Sequence, residues 1–198
     1  MITLVCIAKW YADGYRNLIQ DAIGKVDRII TVLDDNPDDG IEDYAAQWVE
    51  YIRHPLNKDF SVQRNFATSL VRHGWVLQLD TDETLSPELW SSLRFITTLK
   101  CDIVMLPRMN VMHNSDGTVS EGENWPDWQP KLHKPHVTWE HPVHEWPVMS
   151  ALRVVYGPMS KRKCIVHSKD VHHQARIDSF FDTFDYHHEL CARLSESR

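Results

Sequence analysis

Gly74-Trp75-Val76-Leu77-Gln78-Leu79-Asp80-Thr81-Asp82-Glu83 is the stretch on which the reading of this chain turns. It begins as a short apolar run, the mark of a buried strand, and ends in three carboxylates. Open α/β sheets hold their ligands at the carboxyl ends of their strands, which is where these carboxylates fall. Asp80 and Asp82 can converge on one hard cation, because carboxylate oxygens suit Mg²⁺ or Mn²⁺. Taken alone, the same residues equally suit a strand followed by a solvated acidic turn.

The chain on either side favours a sheet. Residues 2–8 are apolar and β-branched, which predicts a buried first strand. Tyr15, Leu18, Ile19, Ala22 and Ile23 are spaced for one face of a helix. Residues 27–33 read as a second strand, ending in the acidic turn Asp34-Asp35-Asn36-Pro37-Asp38-Asp39-Gly40. A short helix over 41–47 and a strand over 48–52 follow. A helix is expected over 59–73, capped by Asp59, with Val62, Phe66, Ala67, Leu70 and Val71 as its buried stripe. Ser86-Pro87 opens another helix after the acidic turn, and residues 101–106 form a further strand. This alternation predicts a mostly parallel sheet with helices on both faces. After Pro107 it gives way to prolines, histidines, four of the eight tryptophans (Trp125, Trp128, Trp139, Trp146) and short strands over 129–133, 151–156 and 163–167. Residues 174–194 carry a helical apolar stripe that includes Phe180, Phe181 and Phe184, expected to pack on the body of the domain.

Bulk properties narrow the function. A chain of 198 residues, 42% hydrophobic and 25% charged, suits one globular domain. A net charge of −7 argues against a nucleic-acid partner, which needs a basic surface. Cys6, Cys101, Cys164 and Cys191 are widely spaced, so free thiols in a reducing compartment are expected. No apolar run is long enough to span a bilayer, and Met1-Ile2-Thr3-Leu4 lacks the layout of a signal peptide. A cytoplasmic protein with at most peripheral membrane contact is expected.

The Asp59-Phe60-Ser61-Val62-Gln63-Arg64-Asn65-Phe66-Ala67 segment, followed by Trp75-Val76-Leu77-Gln78-Leu79-Asp80-Thr81-Asp82-Glu83, resembles the GT-A fold glycosyltransferases of family 2. The resemblance is nearest to the branch of lipopolysaccharide-core glucosyltransferase-like proteins. Later segments, Gln129-Pro130-Lys131-Leu132-His133-Lys134 and His141-Pro142-Val143-His144-Glu145, resemble that family's Arg-Leu-Phe strand and Val-His-Glu segment. Two stretches depart from it. The second strand ends in Asp34-Asp35-Asn36-Pro37-Asp38-Asp39 where Asp-Ser-Gly-Ser-x-Asp is common, and the first loop reads Lys9-Trp10-Tyr11-Ala12-Asp13 where Asn-Glu-Glu is common.

The resemblance implies an α/β chain with a Rossmann-like GT-A mixed sheet flanked by helices, a single domain over 1–198. Residues 1–107 would be the nucleotide-sugar half, 108–173 the acceptor side, and 174–198 a C-terminal helix. It implies a nucleotide-diphosphate sugar as donor, with a UDP-sugar preferred, a glycan or lipid-linked sugar as acceptor, and Mn²⁺ or Mg²⁺ on the diphosphate. Asp82 is the expected metal ligand. Asp80 joins it through water or holds the ribose, and His167 matches the family's C-terminal histidine. Asp34 would read the base edge, Ala8 lies with the donor at the end of the first strand, and Arg64 would meet the phosphates. Glu83 is expected to be a supporting or solvated residue.

Inverting transfer needs a carboxylate to take the acceptor's proton. Glu145 is the expected base, with Asp127 and Glu140 as rivals. The tryptophans can offer flat faces to sugar rings, or fill the core. His133, His136, His141 and His144 invite a zinc site, but there is no HExxH and no cysteine among them. Two other functions remain open: a nucleotidyltransferase, which would want a glycine-rich loop that residues 8–14 lack, and a non-catalytic binder of nucleotide sugars or glycans.

Overall fold

A computed structural model describes residues 1–8, 13–34 and 48–170. The first loop, the acidic loop after Asp34, the expected helix over 41–47, Cys191 and the expected C-terminal helix lie outside them. Strand β1 (Ile2–Ala8) is buried on both faces, as its unbroken apolar run requires. Helix α1 (Asp13–Ala22) buries Tyr15, Leu18, Ile19 and Ala22 completely, the spacing seen in the sequence. Strands β2 (Arg28–Leu33) and β3 (Glu50–Arg53) come next. Trp48, placed in the third strand by sequence, precedes it and is exposed.

Helix α2 (Phe60–Ser69) is capped by Asp59, whose carboxylate accepts from Val62 N at 3.0 Å. It is shorter than the expected 59–73, and the expected stripe fails at Val62, while polar residues are buried that the stripe does not include. Val62 is 48% exposed, while Ser61, Gln63, Arg64, Ala67 and Thr68 point inward. Ala67 and Val71 pack on the sheet as expected, with Phe66 and Leu70 partly buried beside them, while Gln63 and Arg64 on the inward face are polar and line the site.

Strand β4 (Trp75–Leu79) is followed by β5 (Glu83–Leu85), a short strand not anticipated from sequence. Helix α3 (Pro87–Ile96) opens on the Ser86 cap, with Glu88 in its first turn and Arg94 in its last, both favourable to the helix dipole. Strand β6 (Ile103–His113) runs well past Leu106 into the stretch expected to be loop. The remaining strands are β7 (Val119–Glu121), β8 (Asp127–His133), β9 (Trp139–Glu140), β10 (Trp146–Pro147), β11 (Val154–Tyr156) and β12 (Ile165–Asp170).

The main sheet runs β3-β2-β1-β4-β8-β6-β12-β5, with β7 and β11 also paired to β6. The first four strands are parallel, as the alternation predicts. Strand β8 then enters between β4 and β6, antiparallel to both, and makes the sheet mixed. Strands β9 and β10 form a separate antiparallel hairpin. Along β1 the side chains alternate: Ile2, Leu4 and Cys6 meet α1 and α3, while Val5 meets Ala67 of α2 and Val71 just past its end. The protein is thus a single α/β domain with a Rossmann-like mixed sheet, helices on both faces and strand ends converging at one rim.

Candidate active site

Asp80 directly follows β4, where the apolar run stops and the backbone turns. Glu83 N donates to Asp80 O at 3.0 Å, and Asp80 N donates back to Glu83 Oε2 at 3.1 Å. This tight turn presents Asp80 and Asp82 at the carboxyl end of the sheet. Helix α1 starts against it: a Cβ on Gly14 would collide with the Thr81 carbonyl oxygen, so only glycine permits this approach.

The carboxylates belong to a chain of alternating charges. Glu145 accepts from Arg64 Nε, and Arg64 Nη2 reaches Asp80 at 3.1 Å. Lys131 Nζ, from β8, bridges Asp80 at 2.6 Å and Glu83 at 2.8 Å. Arg108, from β6, joins Glu83 at 3.0 Å to Asp127 at 2.6 Å. Asp127 accepts from Asn110 Nδ2 at 3.2 Å, and Asn110 Oδ1 faces His167 Nδ1 at 2.7 Å. His167 Nε2 meets Asp82 Oδ2 at 3.1 Å. Glu83 is completely buried, so of the two expectations for it the solvated one is corrected: the carboxylate is enclosed and held by two cations.

Burial sets the electrostatics. It would raise the Asp80 carboxyl, but the Arg64 and Lys131 charges outweigh it and hold Asp80 well below the usual carboxylate range. Burial would lower the Lys131 ammonium, and Asp80 and Glu83 more than restore it. Asp127 is likewise brought below the ordinary range, burial opposing and Arg108 prevailing. Asp80, Lys131 and Asp127 are each held charged by their neighbours.

The His167 end behaves differently. A carboxylate can only accept, so Asp127 fixes the Asn110 amide with its nitrogen toward Asp127 and its oxygen toward His167. His167 Nδ1 must then donate, which leaves the Nε2 position facing another acceptor, Asp82. Two acceptors 3.1 Å apart need a shared cation: a proton on Nε2 or a metal ion. Five carboxylates face three fixed cations along the chain, a deficit that one divalent ion would make good. Among the described residues no three His, Cys, Asp or Glu side chains form a metal-holding group. Asp82 and His167 could supply two protein ligands to a metal ion, fewer than a closed protein site would need. Asp80 is committed to Arg64 and Lys131.

At the other end of the rim, Asp34 N donates to Ala8 O at 3.0 Å, and Asp34 Oδ1 accepts from Leu56 N at 2.9 Å. Gln63 holds His54 at both ends, accepting at Nδ1 (2.6 Å) and donating to its carbonyl (2.7 Å). Arg64 Nη1 is buried without a hydrogen-bond partner among the described residues.

The expected residues fall on this rim, with Asp34 and Ala8 at one side and Glu145 at the other. Asp127 is held by Arg108 as Glu145 is held by Arg64, and Glu140 is exposed beside His141. His133 is completely buried against Trp139 and Gln78, and burial pulls its imidazole down to about 4. Trp139 is core, Trp146 is exposed, and Trp125 and Trp128 are half-buried. Lys131, Arg108 and Asn110 match no motif role in the sequence. Lys131 has one signal, a charge inside a strand run, where such residues are rarely buried unless paired, while Arg108 and Asn110 lie past the predicted strand and carry none.

A family model, glycosyl transferase family 2, matches residues 16–156. No curated protein matches the chain by sequence. Among solved structures, residues 1–349 of TarS from S. aureus in complex with UDP are 13% identical with a TM-score of 0.54, over 89% of this chain and 63% of that one. HddC from Yersinia pseudotuberculosis is 11% identical with a TM-score of 0.56, over 84% of this chain and 93% of that one. The bifunctional IspDF from Campylobacter jejuni is 8% identical with a TM-score of 0.53, over 82% and 50%. These likenesses show the fold. The chain spans less than two thirds of the TarS structure.

Proposed function

Since the chain belongs to glycosyl transferase family 2, we propose that it transfers a sugar from a nucleotide-diphosphate sugar to a hydroxyl of a glycan or lipid-linked acceptor, with inversion. A UDP-sugar is the preferred donor, and the TarS structure with UDP supports that choice through the shared fold. The segments quoted above support the lipopolysaccharide-core glucosyltransferase-like branch. Buried free thiols at Cys6, Cys101 and Cys164 support a cytoplasmic setting. Among the described residues no helix is long and apolar enough to cross a membrane.

The observation that carries this reading is the Asp82–His167 acceptor pair beside the locked Asp80 turn. Asp82 and His167 would hold Mn²⁺ or Mg²⁺, which when bound supplies positive charge to the leaving diphosphate. Asn110 orients His167 for this by taking its other nitrogen. Arg64 places a buried positive charge beside Asp80, and a phosphate of the donor can draw on that charge. Asp34 lies beside Ala8 at the end of β2, within reach of a base bound over the first strands. Glu145 is the carboxylate on the acceptor side, 11% exposed and tied to Arg64, and it takes the proton of the attacking hydroxyl.

A thermal-shift panel of UDP-, GDP- and dTDP-sugars with and without Mn²⁺ tests the reading. A UDP-sugar with Mn²⁺ should raise the melting temperature, and EDTA should remove the effect. A panel in which no nucleotide sugar shifts the melt would overturn it. Binding without donor turnover would make the protein a non-catalytic binder instead.

A further inference from the structure

We propose that Asn65 is a positioning residue, one that latches the hairpin carrying Glu145 onto helix α2 and so sets where the acceptor-side carboxylate stands. The inference rests on the assignment of Glu145 made above.

The β9–β10 hairpin is not part of the main sheet. Its turn, residues 141–145, contains two non-glycine residues with left-handed backbone, His141 at φ 74° and His144 at φ 55°. Such backbone is costly for most residues and persists where its surroundings hold it. Here the hold comes from the first turns of α2. Asn65 Nδ2 donates to Trp139 O at 2.8 Å, and Trp139 N donates to Asn65 Oδ1 at 2.8 Å. One side chain thus satisfies both backbone groups of Trp139, as a neighbouring strand would. Phe60 N adds a bond to Pro142 O at 2.9 Å. The guanidinium of Arg64 lies over the Trp139 ring, 5.4 Å from its centroid, and also binds Glu145.

Three consecutive residues therefore divide the work. Gln63 ties α2 to His54 at the nucleotide side, Arg64 ties it to Asp80, and Asn65 ties it to the hairpin. Without Asn65, two buried backbone groups of Trp139 lose their partners, and the path from the metal-side turn to Glu145 is left to the Arg64 ion pair and the Phe60 bond.

The test compares Asn65→Ala, Asn65→Asp and Glu145→Gln with wild type, using Ser69→Ala, exposed on the same helix, as control. Two readouts are taken: amide hydrogen exchange, and steady-state transfer with the nucleotide sugar selected by the thermal-shift panel. For Asn65→Ala, exchange across 139–148 should accelerate about 10-fold or more, while β1 and β4 are unchanged. Its kcat should fall about 10- to 100-fold with the donor KM within about twofold, the signature of a misplaced group. Asn65→Asp keeps the acceptor for Trp139 N but not the donor to Trp139 O, and should fall between. Unchanged hairpin exchange in Asn65→Ala would overturn the latch. So would wild-type kcat in Asn65→Ala while Glu145→Gln collapses. If Glu145→Gln itself retains kcat, the base assignment fails instead, and exchange alone judges the latch.

Discussion

Acid should weaken this fold before its carboxylates titrate, and His133 is the reason. The imidazole is completely buried between Gln78 and Trp139, with one nitrogen 3.0 Å from the Lys134 carbonyl oxygen. Burial lowers it from 6.5 to about 4. The unfolded chain therefore takes up a proton as pH falls through 6.5, while the folded protein refuses it until about 4. Stability is full above the unfolded value and is lost as pH drops through that window. At about 1.4 kcal/mol per pH unit, the loss amounts to about 3 kcal/mol. Urea melts at half-unit steps from pH 7.5 to 4.5, for wild type and His133→Gln, isolate this contribution. The variant should start less stable, because it gives up a packed ring, and decline less steeply across the window. Parallel decline of the two proteins would refute the reasoning, since burial of this imidazole would then cost nothing on protonation.

Removing the metal-side carboxylate with Asp82→Asn should weaken Mn²⁺ binding in calorimetry and lower transfer by about 10²-fold or more, with the melting temperature nearly unchanged. Full activity in EDTA would defeat the metal assignment. Glu145→Gln should lower kcat by about 10²- to 10⁴-fold with little effect on donor affinity. Asp127→Asn and Glu140→Gln tested beside it should keep more of their kcat, and the reverse order would move the base elsewhere. Gly14→Ala should cost about 10²-fold in kcat/KM, because the new methyl displaces the Thr81 carbonyl and with it the Asp80–Asp82 turn. Alanine in a helix ordinarily stabilises by about 0.5–1 kcal/mol, so a higher melting temperature with intact activity would count against that contact.

The acidic turn and the first helix could be read from the residues because each depends on local order. Trp75 to Leu79 is apolar and ends in acid, and Tyr15, Leu18, Ile19 and Ala22 keep helical spacing. Helix α2 misled the periodicity, since hydrophobicity placed Val62 inward while the structure turns Gln63 and Arg64 to the interior. A helix that lines a site buries polar groups with partners from distant strands, and a pattern of apolar spacing has no access to those partners. Lys131 and Arg108 stayed hidden for the same reason. Their meaning lies in pairing with Glu83, 48 and 25 positions away in the chain, through a sheet order that no local signal encodes. Strand β5 is three residues long and exists because β12 pairs with it.

Strand β8 is inserted between β4 and β6, and it brings Lys131 with it. During synthesis, the ribosome delivers the acidic turn and all of β6 before β8 has been made. Until then β4 and β6 each offer a bare edge, and the gap between them can be filled by a strand from another nascent chain. The ammonium that bridges Asp80 and Glu83 arrives only with the strand that fills this gap, so filling the gap and completing that bridge come together. Fragments ending before residue 127 should therefore be sticky open sheets, not small nucleotide binders.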